Sequence, residues 1–333
     1  MVLIGSCSLP GTRYGSLNQD FVAVEEMHAS KDLKKNHWTQ LHVVVMCDGH
    51  GMLGEIAAEE ASRAILDHLR QSVLRRRQLG ELSLAEVTQL MEEAFLAGHQ
   101  RVLRLYEAAP ATYDFPKGSK SEQTYSLRTH PNREAVYMNA LLGNRILEFG
   151  TTATVACVQG TAIAVANAGD TRVVLGRDVA GEYSGDDLTL RHWGFEASEA
   201  KRLKDSLGDV VSIAAEDGYL TVEEGRLRGF QLAMTRALGH KLLGDYGVIP
   251  NPFVQVHSLQ QEDVCLIVAT DGIWEVMNAG EAVRSVCDAI AEGRTVEDAA
   301  YELCSDAVRM AVNFQRGGEA DNTTAAVFIF DEL

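Results

Sequence analysis

The sequence predicts an α+β fold in which helices cover two β-sheets, and three observations support this expectation. Strand-like apolar runs come first, two long helical segments follow, and further strands fill the middle of the chain. Two more helical segments then precede the last strand. Helices grouped between sets of strands favour segregated layers over a doubly wound βαβ arrangement. We find neither an internal repeat nor a linker rich in Pro and Gly, so one domain over residues 1–333 is expected.

The first half of the chain divides by its apolar periodicity. Residues 22–24 and 41–47 are predicted to pair as strands around a polar loop at 25–39. Residues 53–73 and 84–106 carry apolar side chains at helical spacing and are predicted to be helices.

Residues 108–148 are less regular, because Pro, Gly, Ser and Thr dominate until Ala135. This composition predicts a surface insertion, with one short helix at 136–147. Such a connection either binds a partner or is a tolerated surface loop, and the second interpretation is favoured.

The second half alternates short strands and helices. Strands are predicted at residues 153–159, 162–166, 171–175, 264–269 and 325–330. Helices are predicted at 197–207, 231–238, 281–292 and 295–313. Two short strands, at 219–223 and 226–229, fall in a mobile, flap-like region around residues 192–230.

The composition is that of a soluble globular protein, with 46% hydrophobic and 23% charged residues. The net charge of −17 argues against nucleic acid as a partner, because phosphate contacts need clustered Lys and Arg. Six cysteines without CxxC spacing argue against structural zinc and a disulfide framework, and indicate a reducing compartment. We find no signal peptide and no membrane span, and we expect a monomer in the cytoplasm or nucleus.

Acidic residues stand at the ends of several predicted strands. The run VVVMCDGHG ends at Asp48 and His50, Asp271 follows VCLIVAT, and Asp321 precedes TTAAVFIF. Carboxylates at strand ends can converge on one point, and hard divalent cations need such oxygen-rich sites. Taken singly, Asp271 and Asp170 would be interpreted as turn residues, and Asp321 as a structural residue that caps a strand entry.

The order and spacing of these motifs resemble the metal-dependent protein serine/threonine phosphatases of type 2C. In chain order the matching stretches are NQD (18–20), DGHG (48–51), GTTATV (150–155), ANAGDTR (166–172), LAMTRALG (232–239), ATDGIWEVM (269–277) and DNTT (321–324). They are spread over most of the chain. The resemblance implies a four-layer α/β/β/α sandwich, in which two antiparallel sheets are flanked by helices and a two-metal site lies at one end.

The resemblance also implies a set of metal ligands. Asp48 would bridge two Mg²⁺ or Mn²⁺ ions, and the Gly49 carbonyl would bind the second ion. Asp271 and Asp321 would hold the first ion, and Asp20 would hold metal-bound water.

A weaker third-metal site would be formed by Asp170 with Asp271. Two bound ions would activate a bridging water for in-line attack on the phosphoryl group. His50 would then donate a proton to the leaving serine or threonine oxygen. An alternative role for His50 is to orient Asp48 through a hydrogen bond.

Some positions depart from the family pattern. Gln19 stands where many members have Glu, so it would still bind water but removes one negative charge from the metal surroundings. The phosphate-binding arginine of the family falls on Gly15, which leaves Arg13 as the nearest candidate, or as a surface charge. His240 stands where Asp normally follows LG. Further departures in the flap region, which concern substrate recognition more than catalysis, are Arg191, Trp193 and Gly194.

We therefore expect a Mg²⁺- or Mn²⁺-dependent phosphatase acting on phosphoserine and phosphothreonine in phosphoproteins. The first alternative is a pseudophosphatase that uses the same fold as a regulatory binding module, which the changes at Gln19, Gly15 and His240 favour. The second alternative is a metallohydrolase acting on small phosphate esters, which would require a closed pocket.

Overall fold

The computed structural model describes residues 2–32, 37–72, 74, 77–108, 111–114, 124–129, 135–140, 145–314 and 318–330. The α-helices of these ranges are α1 (Gly54–Gln71), α2 (Leu84–Ala108), α3 (Ala197–Leu207), α4 (Asp271–Trp274), α5 (Ala279–Ala291) and α6 (Val296–Phe314). None of these described helices combines the length and apolar character needed to cross a bilayer.

Strands make up much of the remaining regular structure in these ranges. In chain order they are β1 (Val2–Leu9), β2 (Asp20–Asp32), β3 (His37–Gly51), β4 (Thr112–Asp114), β5 (Thr124–Thr129), β6 (Ala135–Asn139), β7 (Arg145–Leu147), β8 (Phe149–Thr151), β9 (Ala153–Gln159), β10 (Ala162–Ala168), β11 (Arg172–Val179), β12 (Glu182–Asp187), β13 (Val211–Ile213), β14 (Leu220–Val222), β15 (Gln231–Leu232), β16 (Leu238–Gly239), β17 (Phe253–Ser258), β18 (Asp263–Ala269) and β19 (Thr323–Phe330).

Two antiparallel sheets form the centre of the molecule. The first has the order β1-β19-β18-β11-β12, so the two ends of the chain pair with each other in one sheet. The second has the order β16-β8-β3-β9-β10-β17, and β2 also pairs with β3.

The alternation of side chains along β3 shows how the layers are stacked. Val44 and Met46 point into a core shared with Val268 and Phe328 of the first sheet. Val43 and Val45 belong to a different core that contains residues of α1 and α2. Successive strand residues face opposite sides of a sheet, so β3 contacts the other sheet on one face and helices on the other.

Helices α5 and α6 cover the outer face of the first sheet. Val283 of α5 and Leu303 of α6 pack with Ile267 and Val327 of the sheet. The layers are therefore α1/α2, second sheet, first sheet and α5/α6, which confirms the predicted four-layer α/β/β/α sandwich.

The segment predicted to be a surface insertion contains regular structure in its described part. Strands β4 to β7 form a four-stranded antiparallel sheet, so the helix predicted at 136–147 is wrong. The run AVYMN contains one β-branched and one aromatic residue, Val136 and Tyr137, and both types favour strands. Val136 and Tyr137 are buried, and Val136 packs in a cluster with Leu203 and Leu243.

The helix predicted at 231–238 is also wrong, because tertiary contacts override the local pattern. Thr235 donates a hydrogen bond to the buried carboxylate of Glu199 at 2.7 Å, and Arg236 donates to the same carboxylate at 2.7 Å. A buried carboxylate needs such partners, and satisfying them pulls the segment into an extended path. Residues 226–229 form a turn and not the predicted strand.

The predicted loop at 25–39 is mostly strand where it is described. The β2–β3 ladder continues past Glu25, which pairs with Val43, to Met27, which pairs with Leu41. Residues 33–36 lie outside the described ranges. The long hairpin matters for function because its other end carries Asp20 and Asp48.

Candidate active site

Asp20 and Asp48 are direct cross-strand partners at one end of the second sheet. Residues opposite each other in an antiparallel pair have Cβ atoms about 5 Å apart, so the two carboxylates are held close together. Thr270 donates a hydrogen bond to Asp20 Oδ2 at 2.9 Å, while the buried Oδ1 has no partner among the described residues. Burial, and then the charge of Asp321, raise the pKa of Asp20 to about 7.

The backbone of Asp48 is fixed by two threonines at the junction of β8 and β9. Its N–H donates to Thr152 Oγ1 at 3.0 Å, and its carbonyl accepts from the Thr152 N–H at 2.8 Å and from Thr151 Oγ1 at 3.0 Å. Burial raises the pKa of Asp48 well above its usual value, with further contributions from the charges of Asp20 and Asp271.

Asp271 and Asp321 are placed by neighbouring strands of the first sheet. Asp271 follows the end of β18 and Asp321 precedes the start of β19, two strands that pair antiparallel. The Thr270 N–H donates to Thr324 O at 3.0 Å, which extends the ladder to the site. Burial raises the pKa of Asp271 well above its usual value, and the charges of Asp170 and Asp321 add to this shift.

Asp170 lies between β10 and β11 and is 4% exposed. Its buried Oδ1 has no hydrogen-bond partner among the described residues. Burial raises the pKa of Asp170, while the charge of Arg191 acts in the opposite direction. The structure therefore brings together, at one end of the sandwich, all the aspartates that the sequence predicts as metal ligands.

The donor set fits hard divalent cations. Uncompensated carboxylates raise one another's pKa, and a bound cation would relieve this repulsion. Gly49 is required for the close approach, because a Cβ there would come within 2.1 Å of the Gly54 carbonyl oxygen. Among the described residues, however, no three His, Cys, Asp or Glu side chains are close enough to chelate one ion. Few protein ligands and several waters are what Mg²⁺ prefers.

Arg13 reaches the site, but it pairs with a carboxylate. The guanidinium forms a hydrogen-bonded ion pair with Asp321. The Thr12 and Arg13 N–H groups both donate to the Ala320 carbonyl, at 2.8 and 2.9 Å, so the backbone delivers Arg13 to this position. Gly15, where the family arginine was expected, is exposed and has a φ of 68°.

His50 contacts a second histidine that the sequence marks only as a departure from the family pattern. The ring centroids of His50 and His240 are 5.1 Å apart. His50 Nε2 and both ring nitrogens of His240 are buried without partners in the described part of the chain. Burial lowers the pKa of His50 to about 4, and burial with the charges of His50 and His99 lowers that of His240.

The sequence spacing of the two histidines does not predict this contact. The contact arises because the strand that carries His50 and the strand that ends just before His240 both pair with the strand that contains Gly150. Gly150 lies opposite His50 in one ladder and opposite Gly239 in another. A Cβ at Gly150 would come within 2.4 Å of the His240 ring. The glycine of the GTTATV motif therefore allows His240 to pack behind His50.

The Gln19 side chain is buried and acts as a structural tether. The backbone N–H of Gln19 donates to Asn322 Oδ1 at 2.9 Å, and the side-chain Nε2 donates to the Gly51 carbonyl at 2.9 Å. Nε2 also lies 3.4 Å from a carboxylate oxygen of Glu55. These bonds join three of the motifs, and the sequence predicted none of them.

Comparisons with known proteins point to one family. A family model described as protein phosphatase 2C matches residues 104–313. Probable protein phosphatase 2C 38 of Oryza sativa subsp. japonica is 31% identical over 289 residues, which are 83% of this chain and 58% of that protein. Probable protein phosphatase 2C 61 of Arabidopsis thaliana is 35% identical over 152 residues, 45% of this chain and 47% of that protein. The chain thus spans about half the length of these curated relatives.

A solved structure has the same fold. The serine-threonine phosphatase 2C from Toxoplasma gondii superposes with a TM-score of 0.62 at 19% identity, and the match covers 99% of each chain.

Proposed function

Because the chain belongs to the protein phosphatase 2C family, we propose that it hydrolyses phosphoserine and phosphothreonine in proteins with the help of divalent cations. The observation that carries this proposal is the convergence of buried and half-buried aspartates from both sheets at one end of the sandwich. Each carboxylate has a pKa that is raised mainly by burial and further by its acidic neighbours, which is the electrostatic signature of a cation site.

The aspartates would hold two Mg²⁺ or Mn²⁺ ions and a weaker third. Asp48, Asp271 and Asp321 would be ligands together with the Gly49 carbonyl, and Asp20 would hold water around the ions. Asp170 and Asp271 would form the third site. Cations bound here would act as Lewis acids on water and on the phosphoryl oxygens.

His50 is proposed to hold the proton that the leaving oxygen receives. Burial lowers the pKa of His50 to about 4, so the imidazole is neutral near pH 7 and does not by itself act as an acid. A substrate phosphate bound beside the ring would raise this pKa by its negative charge, and the protonated ring would then donate from Nε2, the atom without a partner among the described residues. The substrate oxygen would supply that partner.

Arg13 is proposed to break its ion pair with Asp321 and to bind the substrate phosphate instead. A guanidinium suits phosphate because its N–H donors form paired bonds to two oxygens. Its side chain is 36% exposed, so it can reach a protein-bound phosphate at the surface. The substrates would be phosphoproteins of the cytoplasm or nucleus, and the enzyme would act as a monomer.

One assay separates this proposal from its alternatives. Phosphate release is measured from a phosphothreonine peptide and from a small aryl phosphate, each with Mn²⁺ or with EDTA. The proposal predicts Mn²⁺-dependent release with a preference for the peptide. Release from the small ester alone would support a small-molecule hydrolase, and peptide binding without release would support a pseudophosphatase. The pseudophosphatase gains no support from the site, because the predicted aspartates are all present.

A further inference from the structure

Two cysteines from opposite ends of the chain meet between β1 and α6. Cys7 lies on β1 and Cys304 on α6. The Sγ of Cys304 is 3.7 Å from the Cys7 carbonyl oxygen, and the two thiols hydrogen-bond to each other. Both are free thiols. A disulfide needs the two sulfur atoms to approach to about 2 Å, so closing the link requires the two side chains to rotate toward each other.

The two thiols differ in exposure and in pKa, and these differences determine which thiol reacts first. Cys7 is half-buried, whereas Cys304 is buried. The hydrogen bond from Cys304 lowers the pKa of Cys7, while the same bond and burial raise the pKa of Cys304 well above its usual value. The thiolate is the reactive form of cysteine, so Cys7 is the thiol that meets an oxidant and Cys304 is placed to resolve the product.

Cys47 and Cys157 lack this combination. Burial raises the pKa of Cys157 to about 12 and raises that of Cys47 further. Cys265 and Cys287 show the same pattern, because their contact lowers the pKa of half-buried Cys287 and raises that of buried Cys265. The pairs differ in position, since Cys265 lies on the interior strand β18 and Cys7 lies on the edge strand β1. The rate of disulfide formation at Cys7 and Cys304 can therefore be compared with the rate at this second pair in the same sample.

We propose that Cys7 and Cys304 form a peroxide-sensitive dithiol that closes to a disulfide between β1 and α6. Hydrogen peroxide transfers one oxygen to the Cys7 thiol, which gives a sulfenic acid and one water. The Cys304 sulfur then attacks the Cys7 sulfur, the S–S bond forms, and the hydroxyl leaves as a second water. The two thiols supply two electrons, and peroxide is reduced to two waters.

The position of this bond connects it to the aspartate cluster. The hydroxyl oxygen of Ser8, the residue that follows Cys7, lies 2.7 Å from Thr324 Oγ1. Thr324 hydrogen-bonds to Asp20. A disulfide at Cys7 would thus fix β1 one residue away from a hydrogen-bond chain that ends on a carboxylate of the site.

The test is mass spectrometry of the folded protein after brief exposure to peroxide, so it is independent of phosphatase activity. Remaining thiols are alkylated and the protein is digested without reductant. We expect a Cys7–Cys304 linked peptide to form roughly tenfold or more faster than any product at Cys157, because reactivity follows the thiolate fraction. The Cys265–Cys287 product should appear later.

Two variants and one control sharpen the test. Cys304→Ser should leave Cys7 as a sulfenic acid that dimedone labels, and Cys7→Ser should prevent both the link and the label. Cys157→Ser should form the link at the parental rate. The proposal is overturned if no Cys7–Cys304 peptide forms in the folded protein, or if folded and urea-unfolded protein give the same mixture of pairings.

Discussion

Removing the guanidinium of Arg13 should make the cation site easier to fill. Arg13 forms an ion pair with Asp321, and two backbone hydrogen bonds to Ala320 hold it there. A cation that binds Asp321 must break this ion pair, so the pair opposes metal binding. Arg13→Ala removes the competitor and one positive charge, and both changes favour the cation.

The magnitude follows from the exposure of the pair. A hydrogen bond between charged groups is worth about 1.5–3 kcal/mol, whereas exposed ion pairs are worth about 0–1 kcal/mol. The side chains of Arg13 and Asp321 are 36% and 16% exposed, so we take about 1 kcal/mol. Since about 1.4 kcal/mol is a tenfold change, the variant should bind Mn²⁺ about fivefold more tightly.

The assay is calorimetric titration of Mn²⁺ into EDTA-treated protein without substrate. Arg101→Ala is a matched control, because it removes the same charge from an ion pair with Glu60 on helix α1, and it should leave the affinity unchanged. Arg13→Lys should lie between the parent and Arg13→Ala. An Arg13→Ala protein that binds Mn²⁺ no more tightly than the parent would refute the competition. In the same variant, kcat/KM for a phosphopeptide should fall, because the phosphate loses its proposed partner.

Three other substitutions test His50, the buried carboxylate of Glu148 and the Gln19 tether. His50→Ala should lower turnover of an alkyl phosphate by about 10²- to 10⁴-fold and of an activated aryl phosphate much less, and equal losses would leave His50 a structural role. Glu148 is buried next to β8 and its carboxylate accepts a hydrogen bond from the Leu242 N–H at 2.7 Å, so Glu148→Gln should change the pH dependence of urea unfolding. Burial raises the pKa of Glu148 from 4.5 to about 7, so the parent loses stability as pH rises through this window. The variant should match the parent near pH 4.5 and exceed it at pH 8 by up to about 3 kcal/mol, and parallel curves would contradict this cause. Gln19→Glu should lower the thermal unfolding midpoint, because a carboxylate would face the Gly51 carbonyl and Glu55 at a cost of about 1–3 kcal/mol, and an unchanged midpoint would show that the tether is dispensable.

The layers of the fold could be predicted because local periodicity and tertiary packing agree there. Helix α3 begins and ends where the sequence predicted, since Glu196 caps its first turn and Gly208 takes a positive φ after its last residue. The segment at 231–238 could not be predicted, because its path depends on the carboxylate of Glu199. That contact spans a long stretch of chain and leaves no mark on the local pattern.

The same division holds within the site. Asp48, Asp271 and Asp321 could be identified because predicted strand ends mark them locally, and the family resemblance added Asp20 and joined the aspartates into one set. The ion pair of Arg13 with Asp321 and the contact of His50 with His240 join residues far apart in sequence. Only the pairing of strands brings them together, so neither followed from spacing. The expectation that Gln19 binds water at the metal site remains a prediction, and its amide already donates to Gly51.

The central claim is that the converging aspartates form a cation site on which phosphate release depends. The most direct measurement is the rate of phosphate release from a phosphothreonine peptide as a function of free Mn²⁺, for the parent and for Asp271→Asn. Asp306→Asn, which removes an equal charge from the exposed face of α6, serves as the control. We predict that phosphate release requires Mn²⁺, and that Asp271→Asn needs at least about tenfold more free Mn²⁺ than the parent for the same rate. Loss of a group that only orients a metal ligand already weakens metal binding by about tenfold, so loss of a ligand should have at least this effect. Release in EDTA, or the same Mn²⁺ requirement in Asp271→Asn as in the parent, would contradict the claim.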